Sequence, residues 1–214
     1  MHSISRYQSF RNFSVWDELR KYLLSAPTVR AAASSHTPYR VDPLHQPEVS
    51  SNMATRRSAA APKAPDAVSL LKADHRQVKE WFAQFEASRS AAKKKTLATQ
   101  ICNALTVHTK IEEEIFYPAF LTATRDADMH HEAIIEHDGA KKLIAKIEQS
   151  SPADEYYDSM VHVLAEMIKH HVKEEEQPDG MFAEARGARK MDLEALGQQM
   201  FERKQTLTQE LARK

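Results

Sequence analysis

The strongest constraint on this chain is a pattern that occurs twice: a lone histidine, then His-x-x-x-Glu about thirty residues later. His75 precedes His108-Thr109-Lys110-Ile111-Glu112, and His137 precedes His171-Val172-Lys173-Glu174-Glu175. Successive histidines are 33, 29 and 34 residues apart, close to one helix plus one turn each time. Helices of that length with short connections pack as antiparallel neighbours. The expected fold is all-α, an up-down-up-down four-helix bundle with four imidazoles and two carboxylates at one level of a shared core.

Hydrophobic periodicity supports this. Apolar residues recur at steps of three and four over four stretches. About 66–88 carries Val68, Leu71, His75, Val78, Phe82 and Phe85. A second stretch, from Ser90 to near Pro118, carries Leu97, Ile101, Leu105, His108, Glu112 and Ile115. About 126–149 carries Ile134, His137, Ile144 and Ile147. The fourth, from near Pro152 to about 176, carries Tyr157, Met160, Leu164, Met167 and His171. Pro152 suits a first helical turn, and Gln177-Pro178-Asp179-Gly180 ends the segment. A fifth amphipathic helix is expected at about 188–212, through Leu193, Leu196, Met200, Leu207 and Leu211. His75, His108, Glu112, His137, His171 and Glu175 all fall in apolar phase. A buried, unpartnered carboxylate is very costly, so two of them, each one turn from a core histidine, call for a compensating cation. Imidazole plus carboxylate suits iron, manganese or zinc.

Composition bounds the rest. Only 4 glycines occur, none before Gly139, which favours helix over sheet. The 30 basic and 30 acidic residues cancel, which argues against nucleic acid as the main partner. One cysteine, Cys102, excludes a disulfide framework and a cysteine zinc site, so a reducing, cytoplasmic setting is the natural fit. No apolar run approaches the ~20 residues of a membrane span. Three regions are expected: a low-complexity, disordered extension over 1–65, a metal-binding bundle over 66–185, and a C-terminal amphipathic helix over 186–214. The first holds six of the 9 prolines and one short amphipathic stretch, Phe13–Leu24. Being Arg- and Ser-rich, it reads either as a targeting segment or as a leader upstream of a true start at Met53; the second reading is preferred.

Four segments resemble the hemerythrin-like family, in its bacterial HHE cation-binding branch: Leu71-Lys72-Ala73-Asp74-His75, the run His108 to Pro118 with Glu112-Glu113-Glu114-Ile115-Phe116-Tyr117, Glu136-His137-Asp138, and His171 to Glu176. The resemblance covers about 66–185. It implies a bundle around two iron ions, a non-haem di-iron centre. His75, His108, His137 and His171 would be terminal ligands, with Glu112 and Glu175 bridging. Oxygen-carrying hemerythrins have a fifth histidine one turn beyond the third; here that position is Lys141. They also end with an aspartate five residues after the last histidine, where this chain has a glutamate at spacing four. Open coordination positions would favour reactivity over reversible carriage. The iron–sulfur repair relatives often add a cysteine-bearing domain, which Cys102 alone does not supply.

A single core histidine, or a single His-x-x-x-Glu, reads as structural; the joint pattern does not. His170 with Glu174 has the same spacing as His171 with Glu175, and Leu164 and Ile168 favour the latter pair. Glu113, Glu114, Glu174 and Glu176 are expected to face water, so Glu113→Ala should leave the site nearly intact. His130, His131 and His162 read as surface residues, and Lys93-Lys94-Lys95 as a solvated junction. The functional expectation is a di-iron protein that binds or reacts with O2, H2O2 or NO in oxygen handling or stress response. No general acid is apparent in the seam, so it reads as a metal-binding protein rather than a dedicated enzyme. The alternative is an iron- or oxygen-sensing or buffering module that reports to a protein partner through the fifth helix. Oligomeric state is not legible.

Overall fold

The structure, a computed structural model, describes residues 64–213. Nearly all of the 1–65 extension, with Phe13–Leu24 and Met53, lies outside the described residues.

Five long helices carry the fold. α1 (Ala67–Ala87) begins at Asp66, whose carboxylate accepts from the Ser69 amide, and α2 (Ala91–Ile111) begins at Ser90 in the same manner. A short π-helical segment, Glu112–Phe116, runs from α2 into α3 (Tyr117–Thr124). Arg125, in the left-handed region at φ 64°, ends that helix. α4 (Ala127–Glu148) is capped by Asp126, and α5 (Tyr157–Glu176) follows a set of turns. A helix of about two turns, α6 (Met181–Gly187), then leads to α7 (Leu193–Ala212), capped by Asp192. α1, α2, α4 and α5 form the expected four-helix bundle: α1 packs on α2, α2 on α4, α4 on α5, and α5 back on α1.

Two local expectations are corrected. Pro118 does not end the second helix. The π segment widens the backbone where the proline ring would otherwise press on the preceding turn, and the helix continues to Thr124. That extra residue rotates the apolar stripe, so Phe116, Tyr117 and Phe120 are buried while Ile115 is only half-buried. Pro152 lies in a turn, and its helix starts at Tyr157. The chain after Gly180 turns helical at once, placing Phe182 of α6 flat on the His75 ring at 5.8 Å.

α7 is part of the core. Met200 and Leu207 are buried with Val68, Leu71, Ile111 and Phe116. It crosses the start of α1 at Gly197, where a Cβ would stand 2.2 Å from the Pro65 carbonyl oxygen and 2.8 Å from the Ala67 nitrogen. Both are backbone atoms and cannot swing aside. Gly197→Ala should therefore cost about 1–3 kcal/mol through overpacking. Denaturant titration checks this; a midpoint equal to that of the unchanged chain would show that the crossing gives way freely.

Among the described residues, no helix is long and apolar enough to cross a membrane.

Candidate metal centre

The core is apolar except at one level. There His75, His108, Glu112, His137, His171 and Glu175 are all buried, one or two from each bundle helix and its π extension. The imidazoles form two facing pairs. Nε2 of His75 is 3.1 Å from Nε2 of His108, and Nε2 of His137 is 3.2 Å from Nε2 of His171. Each carboxylate spans both pairs. Glu112 Oε2 lies 3.1 Å from His108 Nε2 and 3.3 Å from His137 Nε2. Glu175 Oε2 lies 3.4 Å from His75 Nε2 and 3.6 Å from His171 Nε2. The structure therefore brings all six sequence-predicted residues together. His170 is not among them: it is half-exposed and pairs with Glu174 at 3.1 Å and Glu136 at 3.4 Å.

A second layer fixes the rings. The Nδ1–H groups point outward, and three donate to carboxylates: His75 to Glu176 (2.8 Å), His137 to Glu113 (2.9 Å) and His171 to Glu136 (2.8 Å). The fourth, His108 Nδ1, faces Asp74 Oδ2 at 3.6 Å. These carboxylates form a closed ring around the bundle. Asp74 on α1 serves α2, Glu113 after α2 serves α4, Glu136 on α4 serves α5, and Glu176 on α5 serves α1. The cause is helical geometry. Each outer carboxylate is the sequence neighbour of a buried cluster residue, and one step along a helix is a turn of about 100°, so it points at the next helix. With Nδ1–H committed outward, the Nε2 lone pairs are aimed at one another and at the two glutamates.

The sequence reading of Glu113 and Glu176 as water-facing is thus corrected: both are partly buried ring anchors. Glu114 pairs with Arg203 of α7 (2.6 Å), and Glu174 pairs with His170. Lys141 also gains a role, since its ammonium clamps Glu113 at 2.6 and 2.7 Å. Two residues were given no part in the site from sequence. Tyr117, wholly buried, stacks on His137 and donates its hydroxyl to Glu175 Oε1 at 3.2 Å, with His137 Nε2 also at 3.2 Å. His130, expected at the surface, is half-buried with its ring edge-on to Tyr117. The lysine junction is also less solvated than expected. Lys94 pairs with Asp158, and Lys95 donates to the Ser150 carbonyl at 2.8 Å.

Electrostatics at the cluster are unbalanced. Burial disfavours the imidazolium of His108, yet Glu112 and Asp74 hold it up to about 10. His75 goes the other way, because burial pulls it down further than its bond to Glu176 lifts it. The two rings of this facing pair are thus shifted in opposite directions. Burial opposes ionisation of Glu112, but His108 and His137 hold it well below the usual carboxylate range. Glu175 is pushed up, by burial first and then by the charge on Glu112. Burial, with Glu112 and Glu175 beside it, keeps the Tyr117 phenol protonated. Both oxygens of Glu112, Glu175 Oε2 and His108 Nδ1 are buried with no well-directed hydrogen bond. Natural cores seldom leave such groups unsatisfied.

Among the described residues, His75, His108, Glu112 and Glu175 offer donor atoms close enough together to share one cation, and Glu112, His137 and His171 do so for a second. The spacing suits that use. Two imidazole nitrogens each about 2.1 Å from one cation stand about 3.0–3.4 Å apart between right-angled and tetrahedral geometry, and the observed pairs are at 3.1 and 3.2 Å.

Comparison with known proteins agrees with this arrangement. The family described as Hemerythrin HHE cation binding domain matches residues 66–182. In structure, the chain is similar to a hemerythrin HHE cation binding domain-containing protein from Mycobacterium kansasii. The TM-score is 0.56 at 19% identity, over 68% of this chain and 89% of that one, which shows a shared fold. In sequence, it is 29% identical over 107 residues to a DNA nickase from Nostoc sp., a match spanning 50% of this chain and 30% of the nickase. With the family matched over more than half of its length, and with the bundle and its buried His/Glu cluster in place, the chain belongs to the hemerythrin HHE cation-binding domain family.

Proposed function

We propose that the cluster holds a non-haem di-iron centre, and that the protein binds or reacts with a small oxygen or nitrogen species (O2, H2O2 or NO) in oxygen handling or stress response. One observation carries this reading: the Glu112 carboxylate, 0% exposed, lies between two facing imidazole pairs with neither oxygen well hydrogen-bonded. A buried carboxylate so placed is stabilised by cations on either side. His75 and His108 would hold one ion, His137 and His171 the other, with Glu112 and Glu175 shared between them. Iron is named by resemblance to the hemerythrins. Bound there, an iron pair supplies one-electron redox chemistry and Lewis acidity toward a small ligand.

The protein's own contribution is orientation, dryness and one proton. The outer carboxylates hold the Nε2 lone pairs inward and raise imidazole basicity. Val78, Leu105, Ile168 and Val172 wall a cavity of ≈ 10 Å³ beside the rings, room for about one water-sized molecule. That size favours diatomic and similarly small ligands over organic substrates. Tyr117 keeps a phenolic proton at the cluster, 3.2 Å from both Glu175 Oε1 and His137 Nε2. The nickase activity of the Nostoc relative is not carried over, since the match leaves out most of that protein and a net charge of zero offers little attraction for a polyanion.

The test is metal content with the optical spectrum, on the full chain purified without chelators. Two irons per chain, with near-ultraviolet absorption that changes on reduction, is the expected result. No bound metal, and no uptake of ferrous iron under anaerobic conditions, would overturn the proposal. Glu113→Ala gives a finer check. With the His137 ring released from its anchor, metal affinity should fall by about 10- to 100-fold. Unchanged affinity in an iron titration would mean that the anchor is dispensable.

A further inference from the structure

The ring of outer carboxylates is itself pinned by a ring of basic groups, and one pin comes from an unexpected place. Glu176, which serves His75, is met by Lys72 Nζ at 3.6 Å. Glu113, which serves His137, is clamped by Lys141, and Glu136, which serves His171, is met by His170 Nε2 at 3.4 Å. In these three cases the pin lies on the same helix as the histidine served. For His108 it does not. Asp74 is held by Lys204, from α7, outside the four-helix bundle. His108 is also the most loosely anchored of the four rings: its Nδ1 is 3.6 Å from Asp74, against 2.8–2.9 Å for the others, and it makes no well-directed hydrogen bond.

We infer that Lys204 is a positioning residue for one half of the metal centre, so that docking of α7 sets how tightly the cation at His75 and His108 is held. The inference rests on the di-iron reading above. The physical chain is short. An ammonium on Asp74 fixes that carboxylate in front of Nδ1 of His108, and a carboxylate so fixed orients the ring and raises the basicity of Nε2. Without the ammonium, Asp74 is free to turn to solvent along the α1–α7 groove that it lines with Lys204, and His108 loses its only outer anchor. The coupling is reciprocal: a cation on Nε2 makes Nδ1–H a stronger donor, draws Asp74 inward, and so favours the docked α7. The other cation, with its anchors on Lys141 and His170, has no such dependence.

The same helix provides the control. Arg203, one residue away, pairs with Glu114, and Glu114 makes no hydrogen bond or ion pair with any of the four rings. Lys204→Met keeps the aliphatic stem and removes the charge, Lys204→Arg restores it, and Arg203→Met removes an equivalent ion pair on the wrong carboxylate. Each full-length variant is loaded anaerobically with ferrous iron, and release to excess ferrous chelator is followed. Hydrogen exchange of 193–212 is measured with and without iron. In Lys204→Met one of the two ions should leave about 10- to 100-fold faster while the second is unchanged. Lys204→Arg and Arg203→Met should behave as the unchanged chain, and iron should slow exchange in α7 except in Lys204→Met. Release from Lys204→Met at the unchanged rate would overturn the inference, as would equal acceleration of both ions or equal acceleration in Arg203→Met. An unchanged chain that takes up no iron would fail at the first step and remove the di-iron reading as well, an outcome distinct from the other three.

Discussion

Removal of the ions should lower the midpoint of thermal unfolding by about 10 °C or more. Ligands that bind only the folded state stabilise it by mass action, about 4 kcal/mol for each ion present at a thousand times its dissociation constant. In a domain of this size, 1 kcal/mol moves the midpoint by roughly 2–4 °C. The site lies where all four bundle helices meet, so its loss is felt by every long element rather than by one loop. The stripped cluster has only partial substitutes. Opposite shifts on His75 and His108 ease one facing pair, but Glu112 keeps two buried oxygens without a directed partner. The competing description is a bundle whose inward His and Glu residues pair only with one another. It predicts the same midpoint with and without chelator. Melting curves on one preparation, loaded and then stripped, separate the two.

The bundle was legible because its signal is redundant. Each of α1, α2, α4 and α5 carries an apolar stripe several turns long, and the observed bounds of α1, Ala67–Ala87, and α4, Ala127–Glu148, fall within a residue or so of those read from periodicity. Periodicity fails where the helix itself changes pitch. The π segment at Glu112–Phe116 adds one residue to a turn, so a fixed 3.6-residue phase placed Ile115 in the core and gave Tyr117 no role. The six cluster residues were legible because polar side chains in apolar phase are conspicuous. The outer ring was missed for the opposite reason. Glu113 and Glu176 sit in runs of glutamate, where a solvated face is the ordinary reading, and nothing in one helix reveals that its polar flank faces the histidine of the next. A signal was present in hindsight: Asp74-His75, Glu112-Glu113, Glu136-His137 and Glu175-Glu176 each place a spare carboxylate one step from a cluster residue. Lys204 had no such local signal, because α7 joins the site only through tertiary packing.

The sharpest single substitution is Glu112→Gln, which should abolish retention of both ions while leaving the stripped chain no less stable than before. Glutamine keeps the volume and shape of the side chain, so the packing around a wholly buried position is conserved. What it removes is the negative charge that spans the two imidazole pairs, 3.1 Å from His108 and 3.3 Å from His137. Second-layer changes at metal sites cost about 10- to 100-fold in affinity, and loss of a shared carboxylate that contacts both ions must exceed that for each. In the stripped chain the sign differs. Removing one partner of a buried charge pair is costly when the other stays charged, but an imidazole left without its carboxylate gives up its proton. With Glu112 neutral, His108 loses the nearest of the two carboxylates that hold its imidazolium, and the site relaxes toward uncharged imidazoles. Metal analysis and paired melts test both halves of this expectation. If Glu112→Gln still carried two ions, Glu112 would not be a shared ligand. If its stripped form unfolded well below the stripped parent, the carboxylate would be serving the fold itself, and the unbalanced polar core would be structural in origin.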